Sequence, residues 1–164
     1  MKTIGFFNSF KSSIMKKIIS IIVLLTTLGC VKETPFEPKP ISFTEIGKGK
    51  LYGAGGEGIS QSNHLITNAT DWQSLMNQMD SNNNIVTDSF EETNIDFTIY
   101  FVIAVFDAIH GNGGWSIDIL SIVEMEDSIG IEVTNLETGN GLSYVTQPYH
   151  IVKIPKSSKP FVFD

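Results

Sequence analysis

The chain has 164 residues, 18 of them acidic against 11 lysines, and it carries no arginine. That length allows one folded core and leaves little room for a second, and a net charge of −7 with no cluster of basic residues excludes a surface built for nucleic acid. Its single cysteine, Cys30, removes intrachain disulfides and thiolate metal sites from consideration, so packing must hold the fold.

At the N-terminal end, Lys16 and Lys17 precede a mostly apolar run from Ile18 to Leu28, which closes on Gly29 and Cys30. A charged region, a short apolar region and a small residue before a lone thiol form the layout of a bacterial lipoprotein signal. The run is too short for a transmembrane helix, which needs about 20 residues. Residues 1–29 are therefore expected to be a cleaved signal peptide, with Cys30 as the lipid-attachment residue and a palmitate-type acyl chain as the membrane anchor. Thr27 departs from the leucine usual three residues before such a cysteine. Met15 is an alternative start to Met1, since the two lysines would then follow it directly. Val31 and Lys32 supply no aspartate retention signal, which favours the outer over the inner membrane. From Cys30 onward seven lysines face all eighteen acidic residues, a balance of −11, so anionic headgroups would repel the surface and leave the lipid as the membrane contact.

Residues 30–40 carry Pro35, Pro38 and Pro40 among charged residues and read as an extended tether. A single domain is expected over 41–164. Ile41 to Tyr52 alternates as a strand, Gly53 to Gly58 breaks it as a glycine-rich hairpin or bulge, and a second strand follows over about 59–66. Asn68 is a good helix N-cap, and Trp72, Leu75, Met76 and Met79 recur at helical spacing, which predicts one helix over 69–79 with its apolar stripe in the core. The polar stretch 80–94 reads as a mobile loop. Strands are then expected at 99–106, apolar on both faces, at 115–123 with Ser116 and Asp118 outward, and at 129–134, 149–154 and 161–163. Six or seven short strands and one helix predict an α+β domain, mainly antiparallel, with the helix packed on the sheet.

Few residues gather into chemistry. Gly53-Ala-Gly-Gly-Glu-Gly58 has the letters of a dinucleotide fingerprint, yet no helix pattern follows and Glu57 would repel phosphate. Asp80, Asn82, Asn84, Asp88 and Glu91 fall at positions 1, 3, 5, 9 and 12 of a calcium loop, but Ile85 takes the place of the required glycine, so a solvated acidic loop is the expected reading and calcium the alternative. His64, His110 and His150 are far apart in sequence and read as surface or strand-end residues without a zinc site. No nucleophile elbow is present. Glu124 with Glu126, and Glu91 with Glu92, read as solvated carboxylates in polar turns. No cofactor, metal or catalytic residue is expected. The turn Gly111-Asn-Gly-Gly-Trp115 admits two readings, a tight hairpin with Trp115 in the core or an exposed glycine turn that offers an aromatic to a partner.

Ile95-Asp-Phe97, Val102-Ile-Ala-Val-Phe106, Gly111-Asn-Gly-Gly-Trp-Ser-Ile117 and Gln147-Pro-Tyr-His-Ile-Val-Lys-Ile-Pro155 occur in an order and spacing that resembles the protease complex subunit PrcB family. Asp71-Trp72 with Leu75 resembles that family's upstream segment, and the likeness covers about 41–164. The resemblance implies a cell-surface lipoprotein that accompanies a subtilisin-like protease as a supporting subunit, and it brings no catalytic residues. The family turn is usually Thr-Gly-Gly-Tyr where this chain has Asn112 and Trp115, so partner specificity carried by the turn is expected to differ. The turn 111–115 and the Pro148-Tyr149 pair are the matching positions, and the resemblance implies for Gly113, Gly114, Trp115, Pro148 and Tyr149 a structural or partner-docking role. The expected function is a non-enzymatic, lipid-anchored envelope protein that binds another protein; the alternatives are a small-ligand or calcium-binding lipoprotein and, less supported by any constellation, a hydrolase.

Overall fold

A computed structural model describes residues 34–82 and 86–164. The expected signal peptide, Cys30 and the start of the tether lie outside the described residues. Among those described, the elements run β1 (Lys39–Pro40), β2 (Thr44–Leu51), β3 (Ser62–Ile66), α1 (Ala69–Met79), a 3-10 turn at Thr87–Ser89, β4 (Tyr100–Phe106), β5 (Asp118–Glu124), β6 (Ile129–Thr134), β7 (Gln147–Pro155) and β8 (Phe161–Phe163). They form two four-stranded sheets: an inner one in the order β2-β7-β4-β3, antiparallel throughout, and an outer one in the order β1-β5-β6-β8, whose β6–β8 pair is parallel. The domain is α+β with one helix, as the residue pattern predicts.

Side chains on a strand alternate between faces, so a strand apolar at every position must be covered on both sides. β4 meets that condition, and β7, apolar apart from Gln147, His150 and Lys153, is buried along most of its length. On one face Val102, Ala104, Phe106, Tyr149 and Ile151 pack with Trp72, Leu75, Met76 and Met79 of α1. On the other, Ile103, Val105, Val152 and Ile154 pack with Ile119, Ile122, Ile129 and Ile131 of the outer sheet. The inner sheet is thus the middle of three layers.

The helix forms where the sequence places it. Asn68, in extended conformation, caps it by accepting the Asp71 amide at 3.0 Å, and Trp72 donates its indole N–H to the Thr93 carbonyl at 2.8 Å. After the helix, Asp80 accepts the Thr87 amide and hydroxyl at 3.1 and 2.6 Å, so the described part of the 80–94 stretch is tied back to the helix end and contains the 3-10 turn.

Several expectations are corrected. The eighth strand, β1, lies in the stretch read as tether: Lys39 and Pro40 pair with Glu124 and Val123 on the sheet edge, where a proline costs no ladder bond. Residues 53–58 do not turn a hairpin, because β2 and β3 occupy opposite edges of the inner sheet with β7 and β4 between them. Residues 107–117 are not a hairpin either, since they carry the chain from the inner sheet to the outer. Asp118 is buried, 2 % exposed, instead of outward: Ile117, Asp118 and Ile119 are buried in succession, so the alternation breaks at the start of β5, where the ladder with β6 is also irregular, and Lys48 pairs with the carboxylate. His150 lies inside β7, buried, instead of at a strand end.

Tyr149 is 3 % exposed and packs edge-on to Phe90 and beside Phe106. Tyr149→Ala should therefore cost about 3–5 kcal/mol in urea unfolding, as for other large buried rings. Tyr149→Phe keeps the ring and should cost less than about 1.5 kcal/mol. An alanine variant with unchanged urea midpoint would put this ring outside the core.

Candidate functional site

Three connections meet at one end of the sheets: 52–61 leaves β2 for β3, 107–117 leaves β4 for β5, and 135–146 returns from β6 to β7. The last two are zipped together by backbone bonds. His110 and Thr146 exchange amide-to-carbonyl bonds at 2.8 and 3.0 Å, Gly113 donates to Leu142 at 2.9 Å, Asn140 donates to Gly113 at 2.8 Å and Gly139 donates to Gly114 at 3.0 Å. Side chains would block this approach. A Cβ on Gly113 would lie 2.6 Å from the Tyr144 ring, and Gly114, at φ 80°, would meet Asn140 at 2.5 Å.

Trp115 is held by three contacts. Its ring stacks on His110 with centroids 3.9 Å apart and 5° between planes, its indole N–H donates to Asn112 Oδ1 at 3.0 Å, and Gly139 closes beneath it. His110 Nε2 in turn lies 2.8 Å from Asp107 Oδ2. The buried Asp107 carboxylate also accepts the Asn135 side-chain amide at 2.7 Å and the Ala108 backbone amide at 2.8 Å. Trp115 is half-buried, neither of the two positions its sequence context suggests: it is fixed from below and open above.

Beside Trp115 runs a groove of about 270 Å³ between β2 and the start of β5, walled by Lys48, Lys50, Ile117, Asp118, Leu136 and Glu137. Burial pushes the Asp118 carboxyl up, but hydrogen bonds from Lys48, Ser116 and the Leu136 amide, with the Lys48 charge, more than offset it and hold its pKa below the ordinary value. Lys48 and Asp118 form an ion pair across the two sheets. One strand over, His150 Nδ1 accepts the Ile119 amide at 2.9 Å, which places its proton on Nε2, 3.2 Å from Glu45 Oε2.

Apolar side chains surround this end. Tyr52, Ile109, Leu136, Leu142, Tyr144 and Val145 are between 36 and 64 % exposed. Tyr52 and Tyr144 approach at 5.9 Å between ring centroids, and a Cβ on Gly55 would touch Ile109. Of the residues expected to dock a partner, Gly114 and Trp115 reach this surface, whereas Gly113, Pro148 and Tyr149 are buried beneath it and shape it only indirectly. Cys30 lies outside the described residues. The exposed rim escapes single-residue motifs because its members come from three connections; runs of isolated apolar residues inside polar loops, such as Leu142 and Tyr144-Val145, are the signal that marks it.

The serine hydroxyls beside acids and imidazoles are already engaged. Ser116 donates its hydroxyl to Asp118, and elsewhere Ser62 lies 2.8 Å from His64 but already donates to the Ser60 carbonyl at 2.7 Å, which makes its oxygen an acceptor rather than an activated nucleophile. Among the described residues no three His, Cys, Asp or Glu side chains gather as metal ligands. Asn84, one of the calcium-loop positions, lies outside them, and Asp80 is engaged by Thr87. Glu92 pairs with Lys153 and Glu124 with Lys159, so these carboxylates serve surface ion pairs. No family model, curated protein or solved structure matches this chain.

Burial is the first cause that lowers the His150 pKa from 6.5, with the Glu45 charge opposing it. A folded pKa below the unfolded one means the unfolded chain takes up a proton that the folded chain refuses. Stability should be complete above pH 6.5 and fall as the pH drops through and below it, by at most about 1.4 kcal/mol per pH unit. Urea titrations between neutral and mildly acidic pH would read this slope, and His150→Asn should flatten it. An unchanged slope in that variant would assign the dependence to other groups.

Proposed function

We propose that this chain is a lipid-anchored protein of the bacterial cell envelope whose domain binds another protein and catalyses no reaction. Within that reading the partner is a secreted or surface protease of the subtilisin type, and the domain is its accessory subunit. The observation that carries the protein-binding reading is the exposed apolar rim around the fixed Trp115. Contiguous exposed apolar surface is uncommon on a monomeric domain and marks interaction sites. A tryptophan held in place before binding loses little freedom on contact, which suits it to anchor an interface. The protease as partner rests on the family resemblance of the 95–117 and 147–155 segments, and the anchor on the order of charged, apolar and small residues that ends at Cys30.

Affinity capture of the full-length protein from crosslinked envelopes should recover one dominant partner, a protease in this reading. Trp115→Ala should reduce recovery at least about tenfold, a loss of about 1.4 kcal/mol or more, in a variant whose melting shows it still folded at the capture temperature. Equal recovery with the variant would remove Trp115 from the interface, and recovery of no specific protein would overturn the protein-binding reading. The anchor is tested separately. Metabolic labelling with an alkyne fatty acid should mark the wild-type protein, and Cys30→Ser should abolish both the label and membrane retention; label that persists in the variant would refute lipidation at this residue.

A further inference from the structure

Two Asn-Gly pairs occur in the clasped loops, Asn112-Gly113 and Asn140-Gly141, and the fold treats them in opposite ways. An asparagine followed by glycine can cyclise. The glycine backbone nitrogen, on losing its proton, bonds to the asparagine side-chain carbonyl carbon; the carbon–nitrogen bond of the amide breaks and ammonia leaves. Water then opens the succinimide at either carbonyl, giving aspartate or isoaspartate. No oxidant or enzyme is needed. The step requires a nucleophilic nitrogen free of an acceptor and a side chain able to turn onto it.

At Asn112 both requirements fail. The Gly113 N–H is committed to the Leu142 carbonyl at 2.9 Å. The side chain is pinned at both ends, its amide donating to the Asn140 carbonyl at 2.7 Å and its oxygen accepting the Trp115 indole at 3.0 Å. At Asn140 the nitrogen is free: no described residue accepts the Gly141 N–H, both residues are exposed, and nothing lies within 4 Å of where a Gly141 side chain would begin. The Asn140 carbonyl is held by the Asn112 side-chain amide at 2.7 Å, so turning the peptide costs that one bond at the solvent-exposed side of the clasp. The Leu142 amide donates to Asn140 Oδ1 at 3.0 Å, which draws electrons from the carbon under attack.

We propose that Asn140 is a site of spontaneous deamidation in the folded protein and that Asn112 is protected. The conversion puts a carboxylate on the apolar rim. In the isoaspartate form it also lengthens the backbone within the clasp, where the Asn140 amide and carbonyl hold Gly113 and Asn112.

The test incubates the intact protein at mildly alkaline pH and follows both sites by peptide mass spectrometry, with isoaspartate methylation as a second readout. Asn140 should convert at least about tenfold faster than Asn112, since reaction at Asn112 requires local opening and a tenfold protection corresponds to about 1.4 kcal/mol of opening free energy. In strong urea the two rates should converge. Gly141→Ala, at a position with open space and no positive φ, should keep the fold and slow conversion at Asn140 severalfold. Equal rates at the two sites in the folded protein, or an Asn140 that keeps its amide while the urea sample converts, would overturn the proposal. These readouts do not depend on any partner.

Discussion

Everything in this domain follows from the inner sheet being apolar on both faces. β4 and β7 carry Val102, Ala104, Phe106 and Ile151 toward the helix, and Ile103, Val105, Val152 and Ile154 toward the outer sheet. Fully buried aliphatic side chains contribute about 1.5–3 kcal/mol each, so neither face can be left to water. One helix and a second sheet are the covers available to a chain of this length. To reach both, the chain crosses between sheets four times among the described residues, from β1 to β2, β4 to β5, β6 to β7 and β7 to β8. Two of these crossings, 107–117 and 135–146, lie beside the 52–61 connection between the inner sheet's edges, where β2 and β4 end and β3, β5 and β7 begin. The rim around Trp115 is the place where topology concentrates irregular backbone.

Irregular backbone needs hydrogen-bond partners, and this end supplies them between loops instead of from water. The exchange between His110 and Thr146 and the Gly113, Gly114 and Asn140 bonds continue the sheet's pairing beyond its last ladder residues. Beneath them the sheets are joined by polar contacts as well as by packing. Lys48 of β2 reaches Asp118 of β5, and His150 of β7 accepts the Ile119 amide of the same strand. Such buried polar contacts are strongly directional. Loss of one partner strands the other in a dry site, so they fix how β5 sits on the inner sheet and, through it, where Trp115 emerges.

The elements legible in the sequence are those whose pattern is local. Asn68 with the Trp72–Met79 stripe specifies α1 to the residue, and β6 and β8 fall where their alternation ends. The two-faced apolarity of 99–106 correctly places that strand in the middle of a sheet, while the second sheet that covers its other face has no local signal. Partner choice was not legible: nothing local says that Gly53–Gly58 leads to the far edge of the sheet, or that Lys39–Pro40 pairs with β5. Asp118 misleads for the same reason. An alternation carried on from Trp115 places it outward, whereas the chain crosses between sheets there, the alternation breaks over Ile117–Ile119, and a charged residue becomes buried beside Lys48. At the candidate site the glycine turn was visible as a place of backbone freedom. The side chains it serves were not, because Asp107, His110, Asn135 and Asn140 converge only in space.

The stiffness of the Trp115 platform is the strongest physical reason to place binding at the rim rather than in the groove beside it. The groove is flanked by lysines and carboxylates, and its deepest carboxylate, Asp118, is already neutralised by Lys48 and hydrogen-bonded by Ser116 and Leu136. A ligand would have to break those contacts to use them, at a desolvation cost that a cavity of about 270 Å³ gives little area to offset. The rim demands no such exchange. Its apolar side chains are exposed already, and the indole is oriented through His110 by the multiply bonded Asp107. An approaching protein surface would cover apolar area, remove it from water and leave the polar network intact, so burial there does not have to offset broken polar contacts as well as the freedom lost on association.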